Sequence, residues 1–272
     1  MAGYETVELV REGELLWISF ERPKVLNAFS LQQWREVTAA LRAAEKDASV
    51  RVVALRGAGG NFSAGYDLTD SMTQLGAGSP NDWRAYIEVG NETCWTVWGL
   101  RKPVIAAVQG FCLGGAFELA MACDFVLSGR SGRFGEPEVR LSDAPPFLIS
   151  PWVMGMRQAK DLLLTGDVVD AEKAQRFGLL TDLVEDAALA DAVRKLARRL
   201  AGFSAGNWHV NKAAVNRSYE IMGFSAAVDM GAEAFVTTNV TPNALKKEFV
   251  ERLQRDGFAA AVKWAQSRYA ER

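Results

Sequence analysis

Two short runs rich in Val, Leu, Ile and Trp lie between Thr6 and Phe20 and flank the polar stretch Arg11-Glu12-Gly13-Glu14. Apolar runs parted by a glycine-containing polar turn predict a β-hairpin, so a sheet begins at the N-terminus. The period then changes. Ser30 is an N-cap residue type, and Leu31, Trp34, Val37, Leu41 and Ala44 follow at the spacing of one helix face. Val50-Arg51-Val52-Val53-Ala54-Leu55 then reads as a buried strand. The βα alternation continues with a helix over about residues 83–100, a strand over 104–108, a short helix from about Gly115 and a strand over 124–128. After a long loop, residues 171–177 read as a helix stopped at Gly178, followed by a strand over 179–184. From Asp186 the strand signal fades, and helices are predicted over 187–200, 209–221, 225–238 and 245–270. Residues 201–206 and 240–243 are the hinge candidates, both too short for disordered linkers.

The bulk numbers narrow the classes. A chain of 272 residues, 49% of them hydrophobic, suits one large globular domain or a domain with a smaller appendage. A net charge of −2 argues against a broad basic surface for nucleic acid or an anionic membrane. Cys94, Cys112 and Cys123 have no CxxC spacing, and an odd number fits a reducing compartment better than a disulfide framework. The first residues lack a basic flank followed by an apolar stretch, and the most apolar region, 104–127, is interrupted by Gln109, Glu118 and Asp124. A soluble, cytoplasmic protein is expected.

Candidate chemistry concentrates in three segments. Gly114 and Gly115 let the backbone turn sharply, and the first N–H groups of a helix starting there have no intrahelical partner. Such an end can stabilise an enolate oxygen; an ordinary strand-to-helix turn is the other reading. Glu118 follows in the first turn among Phe117, Leu119, Ala120 and Met121, where a carboxyl is costly unless paired, hydrated or used. The alternative is an acid favoured there by the helix dipole. Glu138 comes after Pro137, whose fixed φ makes a rigid mount, and it reads as a catalytic or an exposed loop acid. Glu136, two positions away, is not expected to share the site. The turn Gly59-Gly60-Asn61-Phe62-Ser63-Ala64-Gly65 offers the Tyr66 N–H as a second donor, or is a plain surface loop. Two carboxyls with two such donors would suit protonation, deprotonation or hydration of carbon beside a thioester carbonyl.

Other chemistries are disfavoured. The 59–65 turn contains GxxxxG, but Tyr66 stands where a P-loop needs lysine, and no GxGxxG occurs. Asn61 replaces the glycine of a GxSxG elbow around Ser63, which weakens a triad with His209, the only histidine. One histidine without clustered thiols makes no metal site. Arg194, Lys195, Arg198 and Arg199 share one side of a helix and read as a solvated face, and the eight tryptophans as core or interface residues.

The residues resemble the crotonase superfamily, also called the enoyl-CoA hydratase/isomerase family, from about Val7 to Val184. The resemblance is carried by Arg22-Pro23-Lys24-Val25-Leu26-Asn27-Ala28, Phe62-Ser63-Ala64-Gly65-Tyr66-Asp67-Leu68, Lys102-Pro103-Val104, Leu113-Gly114-Gly115-Ala116-Phe117-Glu118, Phe134-Gly135-Glu136-Pro137-Glu138 and Leu163-Leu164-Thr165-Gly166. It implies an α/β spiral of ββα repeats over residues 1–200, then a helical trimerisation region over 201–272, assembled as a trimer or dimer of trimers. It places the acyl-CoA thioester oxygen between the Tyr66 and Gly115 N–H groups, and makes Glu118 and Glu138 the two acids of a hydratase. Lys24, Leu26, Ala28, Ala64, Asp67 and Leu68 would line the coenzyme A portion, with Lys24 the first candidate for its phosphates. No cofactor is implied beyond coenzyme A within the substrate. Isomerisation, decarboxylation, acyl hydrolysis or acyl-CoA binding without turnover are the alternatives. Tyr66 and Ala116 replace smaller residues of the family pattern, and the stretch 141–147 replaces a glycine-rich loop; there Asp143 reads as a solvated residue or a third functional acid.

Overall fold

The computed structural model describes residues 3–70 and 78–270. The expected hairpin forms from β1 (Val7–Glu12) and β2 (Leu15–Phe20), paired antiparallel from Val7 opposite Phe20 to Glu12 opposite Leu15. Gly13, at φ +61°, supplies the left-handed turn. β3 (Val52–Gly57), β4 (Val104–Val108), β6 (Phe125–Gly129) and β9 (Asp182–Val184) extend the sheet in parallel, in the order β1-β2-β3-β4-β6-β9. Strands β2 and β4 are buried along their whole length, which is why they read as continuous apolar runs rather than as alternation. A smaller sheet orders β5 (Phe111–Leu113), β7 (Arg133–Gly135) and β8 (Val169–Asp170) side by side. Ser63 bridges to Cys112 of β5, so successive coils of the chain contribute one stretch to each sheet. That is the ββα spiral.

The helices pack around and between the sheets. In α1 (Leu31–Lys46), Ser30 Oγ accepts the Gln33 N–H, and Leu31, Trp34, Val37, Leu41 and Ala44 are all buried as their spacing predicts. α2 (Pro80–Gly99) lies against it and starts in a reciprocal Ser79–Asp82 capping box. The short α3 (Gly115–Ala122) is buried all round. The predicted long loop before residue 171 is not structureless: it holds β7, a 3-10 turn (Pro137–Leu141), α4 (Ser150–Val153), α5 (Met156–Thr165) and β8, before α6 (Ala171–Arg176). α5 escaped notice because its inner positions are few, Ala159 and Leu162, while Leu164 faces solvent.

Five helices complete the described chain: α7 (Leu189–Ala201), α8 (Ala205–Ile221), α9 (Phe224–Val240), α10 (Ala244–Asp256) and α11 (Phe258–Ala270). The single helix expected over 245–270 is broken at Gly257, whose φ of +82° ends α10. These helices are tied to the spiral. Phe224 and Val228 belong to its main core, Lys212 on α8 pairs with Asp124 at 2.8 Å, and Arg84 on α2 pairs with Glu233 on α9 at 2.8 Å. Phe249, Ala261 and Ala265 pack α10 and α11 onto Leu68 and Leu141. No helix among the described residues is long and apolar enough to cross a membrane.

Candidate active site

Two glycines bring the two expected backbone donors together. Gly114, at φ +54° and ψ −132°, turns the chain from β5 into α3. Gly65, at φ +94°, lies so close that a Cβ there would meet the Leu113 carbonyl oxygen at 2.7 Å and Gly114 Cα at 3.6 Å. Only glycine permits both the positive φ and the close approach. Tyr66 sits beside Phe29, where the Phe29 N–H binds the Gly65 carbonyl and the Asp67 N–H binds the Phe29 carbonyl. Those bonds flank the Tyr66 N–H without using it. The Gly115 N–H opens α3 and has no carbonyl four residues back within the helix. Two N–H groups without a backbone partner among the described residues thus lie on touching segments.

The large side chain of Tyr66 fills a slot made for it. It lies 5.3 Å from Trp34 and 5.8 Å from Tyr86, ring centre to ring centre. A Cβ on Gly115 would meet the ring at 2.5 Å, and one on Gly90 would meet its hydroxyl at 2.2 Å. Gly90, inside α2, therefore accommodates the tyrosine at some cost in helix propensity.

Three carboxyls converge beside these donors. Glu118 is 1% exposed, and its Oε1 accepts the Phe147 N–H at 2.7 Å. Burial, then the charges of Glu136 and Glu138, push its pKa well above the ordinary range. Glu138 lies over Gly114, where a Cβ would meet its Oε1 at 2.6 Å. Its Oε2 is sealed from solvent without a hydrogen-bond partner, and burial, followed by the Glu136 charge, raises it also. Glu136, not expected at the site, is fully buried: Oε1 accepts the Ser150 hydroxyl at 2.5 Å and Oε2 has no partner. Burial moves it up to about 7. The two neighbours of Pro137 both turn inward because β7 ends at Gly135, immediately before Glu136, and a tight 3-10 turn starts at once. Among the described residues no cation pairs with any of the three.

The remaining candidates fall into distinct groups. Segments 22–29 and 61–68 lie together: the Ala64 N–H binds the Leu26 carbonyl at 3.0 Å, and Arg22 pairs with Asp67 at 2.9 Å and reaches the Ala28 carbonyl. Asp67 also accepts the N–H groups of Thr69 and Asp70, so its carboxylate holds the loop. Lys24 is exposed on the same segment, in a 3-10 turn, and Leu68 packs under α10 and α11. Sequence reasoning overlooked Asn27, which is fully buried at φ +56° and donates to the Ala58 and Asn61 carbonyls, tying the two segments together. A polar residue inside an apolar-flanked turn was the signal available for it.

Asp143 is not a solvated loop residue. It pairs with Lys246 at 3.1 Å and accepts from Thr238 and Asn239, joining the 141–147 stretch to α9 and α10. Ser63 is buried and accepts the Gly65 N–H, while His209 lies on α8; no hydrogen bond among the described residues joins them into a triad. Arg194 departs from the solvated face assigned to its run by gripping Glu12 of β1 with two hydrogen bonds, whereas Lys195, Arg198 and Arg199 are exposed.

Comparison with known proteins gives a consistent set of matches. The family model described as enoyl-CoA hydratase/isomerase matches residues 11–256, well past the point where the motif resemblance ends. A crotonyl-CoA hydratase of Syntrophomonas wolfei is 34% identical over 237 residues, covering 86% of this chain and 89% of that protein. A short-chain-enoyl-CoA hydratase of Clostridium acetobutylicum is 33% identical over 260 residues, covering 93% and 97%. The crystal structure of an enoyl-CoA hydratase/isomerase from Xanthobacter autotrophicus Py2 superposes with a TM-score of 0.93 at 32% identity, covering 98% of this chain and 99% of that one.

Proposed function

The chain belongs to the enoyl-CoA hydratase/isomerase family, and from that premise we propose that it adds water across the double bond of a 2-enoyl-CoA thioester. The observation that carries this reading is that Glu118 and Glu138, two carboxyls with no paired cation among the described residues, lie together at the start of a helix that touches the Gly65–Tyr66 segment. In the proposed reaction the thioester oxygen rests on the Tyr66 and Gly115 N–H groups. One carboxylate takes a proton from water as the water oxygen bonds to the β-carbon. The double-bond electrons move toward the thioester oxygen as an enolate, and the other carboxyl delivers its proton to the α-carbon. The pair ends with the same number of protons it began with. Donors preorganised where negative charge develops contribute about 2.7–4 kcal/mol each to such a step.

The hydrogen bonds suggest how the roles divide. Glu118 receives the Phe147 N–H, which favours its charged form, whereas the sealed Oε2 of Glu138 favours a proton there. Because the acids are coupled, their titration belongs to the group rather than to either residue. Lys24, Leu26, Ala28, Ala64 and Leu68 are assigned to the approach of the coenzyme A portion, with Asp67 acting through Arg22. Assembly as a trimer or dimer of trimers through the helical region 201–272, and a cytoplasmic location, belong to the same proposal.

Crotonyl-CoA incubated with the purified protein is expected to gain the mass of one water as its conjugated thioester absorbance falls. An unchanged mass with a moved double bond would replace hydration by isomerisation; binding without any product would leave an acyl-CoA-binding protein.

A further inference from the structure

Glu136 is the buried acid for which the two-carboxyl reaction has no use. It is 0% exposed, one oxygen is fixed by the Ser150 hydroxyl at 2.5 Å, and the other has no partner. It stands one proline away from Glu138, whose Oε2 is likewise buried and unpartnered. A cation would be expected beside a buried acid kept only for structure, as Lys212 stands beside Asp124 and Lys246 beside Asp143. We propose that Glu136 is a positioning residue of the site: it exchanges a proton with solvent and, through its charge, holds the proton needed for catalysis on the Glu118–Glu138 pair.

The inference rests on the hydratase reading, because it presupposes a pair that must keep one proton and one charge. Among the described residues the titratable groups facing this cluster are Glu118 on α3, Glu138 on the 137–141 turn, Asp143 beyond Glu138 and itself paired with Lys246, and Tyr66 and Cys94 around Glu118. Ser150 donates to Glu136 as the Phe147 N–H does to Glu118, and burial raises Glu136 only to about 7, so the first ionisation of the coupled acids falls in the neutral range. As pH rises and Glu136 loses its proton, its negative charge opposes ionisation of both neighbours. The singly protonated pair then persists to higher pH than it would beside a neutral residue.

The test uses the full chain as wild type, Glu136→Gln and Ser150→Ala, with two readouts. Glutamine keeps the shape and the acceptor for Ser150 but cannot ionise. Infrared difference spectra of the substrate-free protein follow the C=O stretch of protonated carboxyls. The wild type is expected to lose a component with a midpoint of about 7, absent in Glu136→Gln and moved upward in Ser150→Ala, where the donor favouring the anion is gone. In crotonyl-CoA hydration, the alkaline limb of kcat/KM in Glu136→Gln is expected about one pH unit lower than in the wild type. An infrared transition unchanged by Glu136→Gln, or superimposable alkaline limbs, would overturn the proposal. If the wild type hydrates no 2-enoyl thioester, the functional reading fails, and the infrared comparison still decides whether Glu136 exchanges a proton.

Discussion

Glu138 and Asp143 lie five residues apart, and both are largely turned from solvent, yet their surroundings are opposite. Asp143 meets Lys246, Thr238 and Asn239, so its charge is met at every oxygen and it fastens two helices over the loop. Glu138 meets two other acids and keeps one oxygen without any donor. Asp124 repeats the first pattern with Lys212, and Glu118 and Glu136 repeat the second. A buried acid beside a cation has a partner for its charge and ties elements together, although burial still raises Asp124 above the ordinary carboxylate range beside Lys212. Burial among acids pushes Glu118, Glu136 and Glu138 toward their protonated forms, the condition that the proposed proton transfer requires.

The strongest way to break the contrast is to neutralise one acid of the unpaired group. Glu118→Gln and Glu138→Gln are each expected to lower kcat about 10²–10⁴-fold while the far-ultraviolet circular dichroism stays native. Loss of folding in step with activity would place these acids with Asp143 instead. Gly114→Ala should come next: its φ of +54° disfavours a side chain, and the new Cβ would meet Glu138 Oε1 at 2.6 Å. Displacing an acid by about 1 Å costs about 10²-fold in kcat/KM, measurable on crotonyl-CoA.

Between the ordinary glutamate value of 4.5 and about 7, folded Glu136 retains a proton that the unfolded chain has released. Stability from this group is therefore lost as pH rises through that window and is level above it. Glu136→Gln should remove this slope and leave the protein more stable than wild type by roughly 1–3 kcal/mol above neutral pH, read from urea unfolding at several pH values. Asp143→Asn should do the reverse, destabilising by about 2 kcal/mol because Lys246 loses its counter-charge, with a smaller effect on turnover than either Glu→Gln change. The smallest effect is expected at the exposed pair Arg42–Glu92, where Arg42→Ala should change stability by no more than about 0.5 kcal/mol.

The sequence carried the architecture wherever a pattern repeated over enough residues. The hairpin, α1 with its serine cap and the parallel strands follow from apolar runs and helical spacing. The small sheet does not, because its strands are two or three residues long, too short for any period to register. Residues 245–270 keep helical character on both sides of Gly257, so only the backbone reveals the break there. Glu118 was legible because it interrupts an apolar helix, and Glu138 through its motif. Glu136 was not, since the direction of a side chain entering a 3-10 turn depends on where β7 ends. Asp143 was misread for a related reason: its partners lie about 95 to 103 residues further along the chain.

The proposed hydration fixes where the atoms of water go. Turnover of crotonyl-CoA in ¹⁸O-labelled D₂O should place one ¹⁸O on the β-carbon and one deuteron on the α-carbon, and both labels should vanish together in Glu118→Gln and in Glu138→Gln but persist in Asp143→Asn. Labels appearing at wild-type rates in either glutamine variant would contradict the assignment of the unpaired carboxyls to proton transfer.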